Sequence, residues 1–223
     1  MSISKPGRVS TLYSVVVISC AVVITALVVR RELFPPSAPR PGLAAESVPN
    51  WRAFASMGHR TGPANAPVTL VVFSDFQCPA CKVLADEVRT LRERYPERFT
   101  VLYRHYPLPS HSQAVAAARA SECAARQGRF AAYHDALFAS QETLGYTPWQ
   151  TFARSAGVPD VEAFQRCFSE PGRIEQLVRD VADGGRLGVT GTPTLLINGR
   201  RYNGAPPLEV LEKEIEEQAR TGG

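Results

Sequence analysis

Two cysteines, Cys78 and Cys81, have the types and spacing that most directly predict chemistry in this chain. They follow an apolar run rich in β-branched residues, Val68 to Phe73, which predicts a buried strand. A helical pattern comes next, and its predicted inner face consists of Val83, Leu84, Val88 and Leu91. Unpaired N–H groups at a helix N-terminus favour a thiolate, and a stabilised thiolate makes the corresponding disulfide easier to open. The pattern therefore predicts a redox-active dithiol.

Two other interpretations of this cysteine pair are a metal site and an inert disulfide. A structural zinc site takes four ligands, whereas the sequence has no second C-x-x-C motif. Neither Cys123 nor Cys167 has another metal ligand at short spacing. The order of strand, C-x-x-C and helix favours redox chemistry over both alternatives. His105 and His111 could face the cysteines, although a lone loop histidine is more often a cap or a surface residue.

A second motif, Gly188 to Gly199, predicts a loop, a proline, a short strand and a turn. Together with the segment Phe73 to Cys81, it resembles the DsbA-like branch of the thioredoxin superfamily, the thiol:disulfide oxidoreductases. The resemblance covers about residues 51 to 220. It implies an α/β thioredoxin fold with a helical insertion. It also implies that Pro193 is a cis-proline beside the active-site sulfurs and that Thr192, with Pro193, binds substrate.

The activity implied by the resemblance is the introduction of disulfides into exported proteins through the pair Cys78–Cys81. No cofactor is expected, because the electrons stay on sulfur, and no metal. The implied partners are reduced exported proteins and a quinone-linked membrane oxidase that restores the disulfide. One alternative is a reductase or isomerase, although isomerases of this superfamily usually add a dimerisation domain, for which residues 33–50 are too short. Another is a copper-binding module, which typically has a wider cysteine spacing and a recruited histidine.

The N-terminal residues 1–32 predict a membrane anchor. Leu12 to Val29 is mostly apolar and ends at Arg30 and Arg31. These roughly 18 residues, at about 1.5 Å each, reach about 27 Å and are just long enough to span the hydrocarbon layer. Because an oxidising dithiol needs an oxidising compartment, the domain is expected on the extracytoplasmic side of the cell membrane. Lipidation at Cys20, within a lipobox-like sequence, and cleavage of the segment are the alternatives.

The rest of the chain is predicted to form a linker and one domain. Residues 33–50 are rich in proline and predict a semi-rigid linker. Residues 51–223 form the domain, with the helical insertion at about 112–187. In an exported domain the remaining cysteines, Cys123 and Cys167, are expected to form a structural disulfide, the alternative being two separate buried thiols. The net charge of +4 is modest and dispersed, so nucleic-acid binding is not expected.

Charged residues give two further expectations. Lys82 is expected to favour the Cys78 thiolate, whereas Asp75 would oppose it if its carboxylate lay close. The last predicted helix, from about Pro207 to Arg220, turns apolar residues inward and a set of glutamates toward solvent. That predicted solvated set is Glu209, Glu212, Glu214, Glu216 and Glu217.

Overall fold

The structure is a computed structural model that describes residues 45–221 together with positions 17–19, 21 and 23–25, which are helical. Most of the predicted anchor and linker, including Cys20, therefore lies outside the described residues. None of the helices in the described part of the chain is long and apolar enough to cross a membrane. The chain divides into two compact units, residues 1–41 and 42–223, and the strands and helices named below belong to the second.

A mixed sheet of six strands forms the centre of residues 45–221. Its strands are β1 (Glu46–Ser47), β2 (His59–Thr61), β3 (Val68–Ser74), β4 (Phe99–His105), β5 (Thr194–Ile197) and β6 (Arg200–Asn203). The spatial order is β1-β6-β5-β3-β4-β2, in which β3 and β4 are parallel and all other neighbours are antiparallel. Strand β1 lies within the predicted linker, so the sheet begins before residue 51.

Seven helices accompany this sheet in residues 45–221. They are α1 (Pro79–Arg94), α2 (Ala114–Ala125), α3 (Phe130–Ala139), α4 (Trp149–Ser155), α5 (Val161–Ser169), α6 (Glu175–Leu187) and α7 (Leu208–Thr221). Five of them, α2 to α6, lie between β4 and β5, where the sequence predicts a helical insertion.

The core divides according to the faces of the sheet. Successive side chains of β3 point to opposite faces, so Leu70 and Val72 pack with α1 and α7, whereas Val71 and Phe73 pack with α6. A third apolar cluster, built mainly from α2, α3, α4 and α5, also contains Cys78 and Cys81. The dithiol thus lies where the helical insertion meets the thioredoxin-like sheet.

Two sequence predictions about helix faces are wrong. Val83 is 51% exposed, and the buried residues of α1 are Cys81, Leu84, Val88 and Leu91, which recur at intervals of three and four. Glu214 is only 6% exposed, and its carboxylate lies 3.2 Å from Arg200 Nη2. The glutamate-rich face of α7 is therefore not entirely solvated, because one of its carboxylates pairs with β6.

A disulfide joins Cys123 on α2 to Cys167 on α5, with 5.8 Å between the Cα atoms. The bridge closes a chain segment of 44 residues and lies against the core of the helical insertion. Cross-linking restricts the unfolded chain and so stabilises the folded one.

Replacing both Cys123 and Cys167 by alanine should lower the free energy of unfolding by about 2–4 kcal/mol. Equilibrium urea denaturation measures the difference from the parent chain. Peptide mapping under reagents that open a Cys78–Cys81 disulfide should still recover the Cys123–Cys167 bridge. A change below about 0.5 kcal/mol, within the range of ordinary surface substitutions, would contradict a stabilising role.

Candidate redox site

The two thiols lie at the point where β3 passes into α1. Strand β3 ends at Ser74, and Cys78 occupies the N-cap position of α1 in an extended conformation, with Pro79 in the first turn. Proline suits this position because its missing N–H would have no partner within the helix. Both thiols are free, and the residues are 6% (Cys78) and 2% (Cys81) exposed. The local sequence thus places one thiol at the helix end and the other one turn inside.

Hydrogen bonds hold the turn between β3 and α1 in place. The buried Asp75 carboxylate accepts from the backbone N–H of Gln77 at 2.7 Å and of Leu108 at 2.8 Å. His111 Nδ1 lies 2.7 Å from the same carboxylate. Gln141 donates to the carbonyls of Phe76 and Cys78 at 2.8 and 2.9 Å. The loop after β4 and the loop after α3 therefore both fix the backbone that presents the dithiol.

The environment of Cys78 stabilises its thiolate. A hydrogen bond from the Cys81 thiol is the main cause that lowers the pKa of Cys78, to about 5, against the opposing effect of burial. The Thr192 side chain and the backbone N–H groups of Ala80 and Cys81 lower it further. These two N–H groups belong to the first turn of α1, so the helix N-terminus acts as the sequence predicts.

The pKa of Cys81 is shifted in the opposite direction. Its burial raises its pKa well above the ordinary value, and the adjacent Cys78 sulfur raises it further. The backbone N–H of Asp75 lies 3.4 Å from Cys81 Sγ, and a hydrogen bond with Ser74 also opposes the rise in pKa. At neutral pH the pair therefore consists of a Cys78 thiolate and a Cys81 thiol.

Sheet pairing brings the second sequence motif to the same place. Phe73, one residue before the end of β3, pairs with Thr194 at the start of β5, and the two strands are antiparallel. The residues after β3 and those before β5 therefore lie side by side. The Thr192–Pro193 peptide bond is cis, and Cys78 Sγ lies 3.2 Å from the carbonyl oxygen of Thr192. The Thr192 hydroxyl is buried beside Cys78.

Helix α6 supports the loop that carries Thr192 and Pro193. Gly184 lets the helix approach Tyr106, because a Cβ atom at that position would lie 2.5 Å from the Tyr106 ring. The Tyr106 hydroxyl donates to the carbonyl of Val189 at 2.9 Å. The Pro193 carbonyl accepts from the backbone N–H of Gly204 at 2.8 Å. Both ends of the loop are thereby held against the sheet.

Four charged or titratable residues near the dithiol have their partners elsewhere than at the two sulfurs. Lys82 Nζ donates to the Phe138 carbonyl at 2.9 Å and lies 3.7 Å from the Asp86 carboxylate, so it is engaged away from Cys78. The Asp75 carboxylate faces Leu108 and His111 in the loop after β4. His105 pairs with Glu122 at 2.7 Å, whereas His111 supports Asp75 rather than a sulfur.

A cavity of about 80 Å³ lies behind Cys81. Ser74, Tyr103 and Phe138 also line it, and the Tyr103 hydroxyl is buried without a hydrogen-bond partner among the described residues. A space of this size with polar atoms in its wall is large enough for water beside the buried thiol. The sequence did not predict this cavity, because Tyr103 on β4 and Cys81 on α1 come together only in the folded chain.

The comparison with protein families gives the class of protein. The chain matches the family model described as thioredoxin (Thioredoxin_4) over residues 55–217, and so it belongs to the thioredoxin family. The thioredoxin-like fold predicted from the two sequence motifs is thus confirmed.

Solved structures with this fold include DsbA-like thiol:disulfide oxidoreductases. A thioredoxin-like oxidoreductase from Silicibacter pomeroyi has a TM-score of 0.63 at 26% identity and matches 82% of this chain and 99% of its own. BdbD from Bacillus subtilis has a TM-score of 0.67 at 20% identity, with coverages of 79% and 98%. α-DsbA1 from Wolbachia pipientis has a TM-score of 0.63 at 20% identity, with coverages of 86% and 96%. The resemblance to DsbA-like proteins inferred from the sequence is confirmed.

Curated relatives carry a similar sequence within longer proteins. The Na(+)/H(+) antiporter NhaA 1 of Mycolicibacterium gilvum is 34% identical over 161 residues, which cover 71% of this chain and 26% of the antiporter. NhaA 3 of Salinispora tropica is 35% identical over 158 residues, which cover 70% of this chain and 24% of that protein. The chain thus spans about a quarter of the length of these relatives.

Proposed function

We propose that this protein is a thiol:disulfide oxidoreductase that introduces disulfides into exported proteins through Cys78 and Cys81. The observation that carries the proposal is the opposite shift of the two thiols, in which the pKa of Cys78 is lowered to about 5 and that of Cys81 is raised. A stabilised Cys78 thiolate favours the reduced pair and makes the disulfide form a stronger oxidant. The thioredoxin-like fold and the DsbA-like structural neighbours support the same chemistry.

The first step is attack on the oxidised pair by a client thiolate. A new bond forms between the client sulfur and Cys78 Sγ, and the Cys78–Cys81 bond breaks with Cys81 as the leaving group. Because burial raises the pKa of Cys81, the leaving sulfur takes up a proton. Water in the cavity behind Cys81 would be a suitable proton donor. Attack at Cys78 is favoured because Cys81 is one turn further into the helix.

The second step releases the oxidised client. A second client thiolate attacks the client sulfur of the mixed disulfide, and Cys78 leaves as a thiolate that the helix N-terminus, Cys81 and Thr192 stabilise. Two client thiols have then become one disulfide, with two electrons transferred to the Cys78–Cys81 pair. Cys81 keeps one of the protons that the client thiols lose. A quinone-linked membrane oxidase, as the resemblance implies, would remove these electrons again.

The loop before β5 is the proposed client-binding edge. Its Thr192 carbonyl lies 3.2 Å from Cys78 Sγ, so a client strand paired with this backbone would place its own sulfur near Cys78. Pro193 has no N–H, and the chain next to the dithiol therefore does not complete a continuous ladder with the sheet. Recognition through backbone groups suits clients of many sequences.

The proposed location is the extracytoplasmic side of the cell membrane. The bridge between Cys123 and Cys167 supports an oxidising compartment, where such disulfides persist. The apolar residues 12–29, which lie largely outside the described part of the chain, are the proposed single-pass anchor. Both proposals follow from the sequence together with the chemistry of the cysteines.

The pH dependence of the equilibrium with glutathione tests the oxidase function. Above the pKa of Cys78, the reduced pair holds a single proton, so reduction of the disulfide by two glutathione molecules releases one proton. The equilibrium constant for reduction should therefore rise about tenfold per pH unit between about pH 5 and pH 8, below the glutathione thiol pKa of about 8.5. Below about pH 5 both cysteines are protonated and the constant should level off.

The pH at which the equilibrium constant levels off appears as a break in its pH dependence. The ultraviolet absorbance of the Cys78 thiolate should titrate at the same pH as this break. Thr192→Val, which removes the hydroxyl and keeps the side-chain shape, should move the break to higher pH because Thr192 helps to lower the pKa of Cys78. A break at or above about pH 8 in the parent chain would argue against an oxidase and favour the reductase.

A further inference from the structure

Three donor side chains from three separate elements meet away from the sulfurs. His59 is on β2, His105 is at the end of β4, and Glu122 is on α2. His59 Nε2 lies 2.5 Å from Glu122 Oε1, and His105 Nε2 lies 2.7 Å from the same oxygen. The three ligand atoms all lie within 4.8 Å of one another, the only such group among the residues that the structure describes.

Neighbouring aromatic rings hold the two imidazoles in this orientation. The His59 ring stacks on Phe130 with 3.6 Å between centroids and 11° between planes. The His105 ring meets Tyr103 and Phe130 edge-on, at 5.2 and 6.0 Å. The rings are thus positioned in advance with their Nε2 atoms converging on one carboxylate oxygen, as a metal site requires.

Burial and charge at this cluster favour a cation. The side chains of His105, Glu122 and His59 are 1%, 10% and 19% exposed, so the carboxylate is largely removed from solvent. A buried carboxylate is stable when it is paired with positive charge or bound to a metal. The partners of Glu122 are two imidazoles, which carry a full positive charge only when protonated. His59 is the most exposed of the three side chains, so an ion and water would reach the cluster from its side.

We propose that His59, His105 and Glu122 form a binding site for a divalent transition-metal ion, with zinc as the best match and water in the fourth position. Zinc binds imidazole nitrogen and carboxylate oxygen, and three protein ligands with one water form a common tetrahedral set. Calcium and magnesium prefer oxygen ligands alone, so the two imidazoles argue against them. Other divalent ions that bind nitrogen and oxygen, such as copper and nickel, are competitors for the same ligands.

Binding requires only a small adjustment of the cluster. Bonds of about 2.0–2.2 Å in a tetrahedral site place the ligand atoms about 3.3 Å apart, so each imidazole would move less than about 1 Å from Glu122 Oε1. His59 can move because it lies on β2, at the edge of the sheet, and is partly exposed. Each imidazole would carry its proton on Nδ1 and offer the Nε2 lone pair to the metal. The bound ion would tie the edge strand β2 to α2.

Zinc binding by the full-length chain tests this site, provided that thiols are removed as competing ligands. The Cys20→Ser chain with Cys78–Cys81 oxidised has no free thiol, since Cys123 and Cys167 already form a disulfide. After treatment with a chelator, calorimetric titration with zinc should give one ion per chain. Glu122→Gln and His59→Asn should each weaken binding by more than about 100-fold, beyond the typical loss for residues that only support a ligand.

His134→Gln is the matched control. His134 lies 6.0 Å from the Phe130 ring, within the same aromatic wall, but it pairs with Asp135 rather than Glu122. Its substitution should leave zinc affinity unchanged. Glu122→Gln retains a hydrogen-bonding side chain of the same size, and circular dichroism checks that each variant is folded.

X-ray absorption of the zinc-loaded parent chain gives a test that does not depend on the variants. It should show nitrogen and oxygen ligands with two imidazoles and no sulfur. Three results would overturn the proposal: no stoichiometric zinc binding, binding that survives both ligand substitutions, or a metal with fewer than two imidazole ligands. The site is independent of the redox proposal, because every measurement is made with the dithiol oxidised.

Discussion

Cys78→Ser should reduce the oxidation of a reduced client protein to the uncatalysed rate. The reason is that Cys78 is the sulfur at the helix N-terminus and beside the Thr192 carbonyl, where a client strand would lie. Serine keeps the size of the side chain but cannot form a disulfide, so neither step of the exchange remains possible. Appearance of the client disulfide over time, measured after trapping free thiols, gives the rate.

Cys81→Ser should give a different outcome when it is mixed with a client that already holds a disulfide. Its Cys78 thiolate can still attack that disulfide, but the variant lacks the thiol that would resolve the product. A mixed disulfide between the client and Cys78 should therefore accumulate and be visible by non-reducing electrophoresis. The Cys78→Ser chain should form no such adduct, because burial keeps Cys81 protonated and unreactive at neutral pH.

Cys20→Ser is the matched control for both substitutions. It makes the same chemical change outside the compact unit of residues 42–223, so client oxidation should stay at the parental rate. A mixed disulfide that maps to Cys81, or a Cys81→Ser chain that oxidises clients at the parental rate, would contradict the assigned order of the two sulfurs.

Much of the redox site could be predicted because its determinants are local in sequence. The strand, the C-x-x-C pair and the helix follow one another within Val68–Arg94, and hydrophobic pattern together with Pro79 identifies each part. The position of Thr192 and Pro193 beside Cys78 came from family resemblance. Its physical cause, the antiparallel pairing of β3 with β5, joins residues more than a hundred positions apart and leaves no local signal.

Two of the errors concern charged side chains, whose partners the sequence does not reveal. Lys82 is close to Cys78 in sequence, yet helix geometry carries its amine to the Phe138 carbonyl. Glu214 belongs to a charged face and is nevertheless buried against Arg200. Sequence patterns report the average tendency of a residue type, whereas burial of an individual charge depends on a partner that folding brings from elsewhere.

Arg104 is the largest fully buried side chain among the described residues, and it lies one residue before the end of β4. Its Nε donates to Asp180 at 2.5 Å, its Nη1 to the Phe54 carbonyl at 2.6 Å, and its Nη2 to Asp183. Asp180 also accepts from the backbone N–H of His105 at 2.8 Å. The guanidinium therefore joins β4, α6 and the segment before β2, and it holds the helix that supports the Thr192–Pro193 loop.

Arg104→Met should lower the free energy of unfolding by about 3–5 kcal/mol, the typical cost of removing one partner of a buried ion pair. Methionine fills part of the space but leaves the carboxylates of Asp180 and Asp183 without their main cation. Burial already raises the pKa of Asp180, and His105 and Arg104 oppose this only in part. Equilibrium urea denaturation at neutral pH, with the midpoint and slope fitted separately, measures the loss.

Arg186→Met provides the matched control, because Arg186 pairs with the same Asp183 while its side chain is 74% exposed. An exposed pair contributes about 0–1 kcal/mol, so this variant should remain close to the parent. Adding Asp180→Asn and Asp183→Asn to Arg104→Met should recover part of the stability, since the buried negative charges are then gone. An Arg104→Met chain that loses no more free energy of unfolding than Arg186→Met would show that the buried ion pairs do not secure α6 against β4. Apolar contacts such as that of Gly184 with Tyr106 would then have to supply this stability.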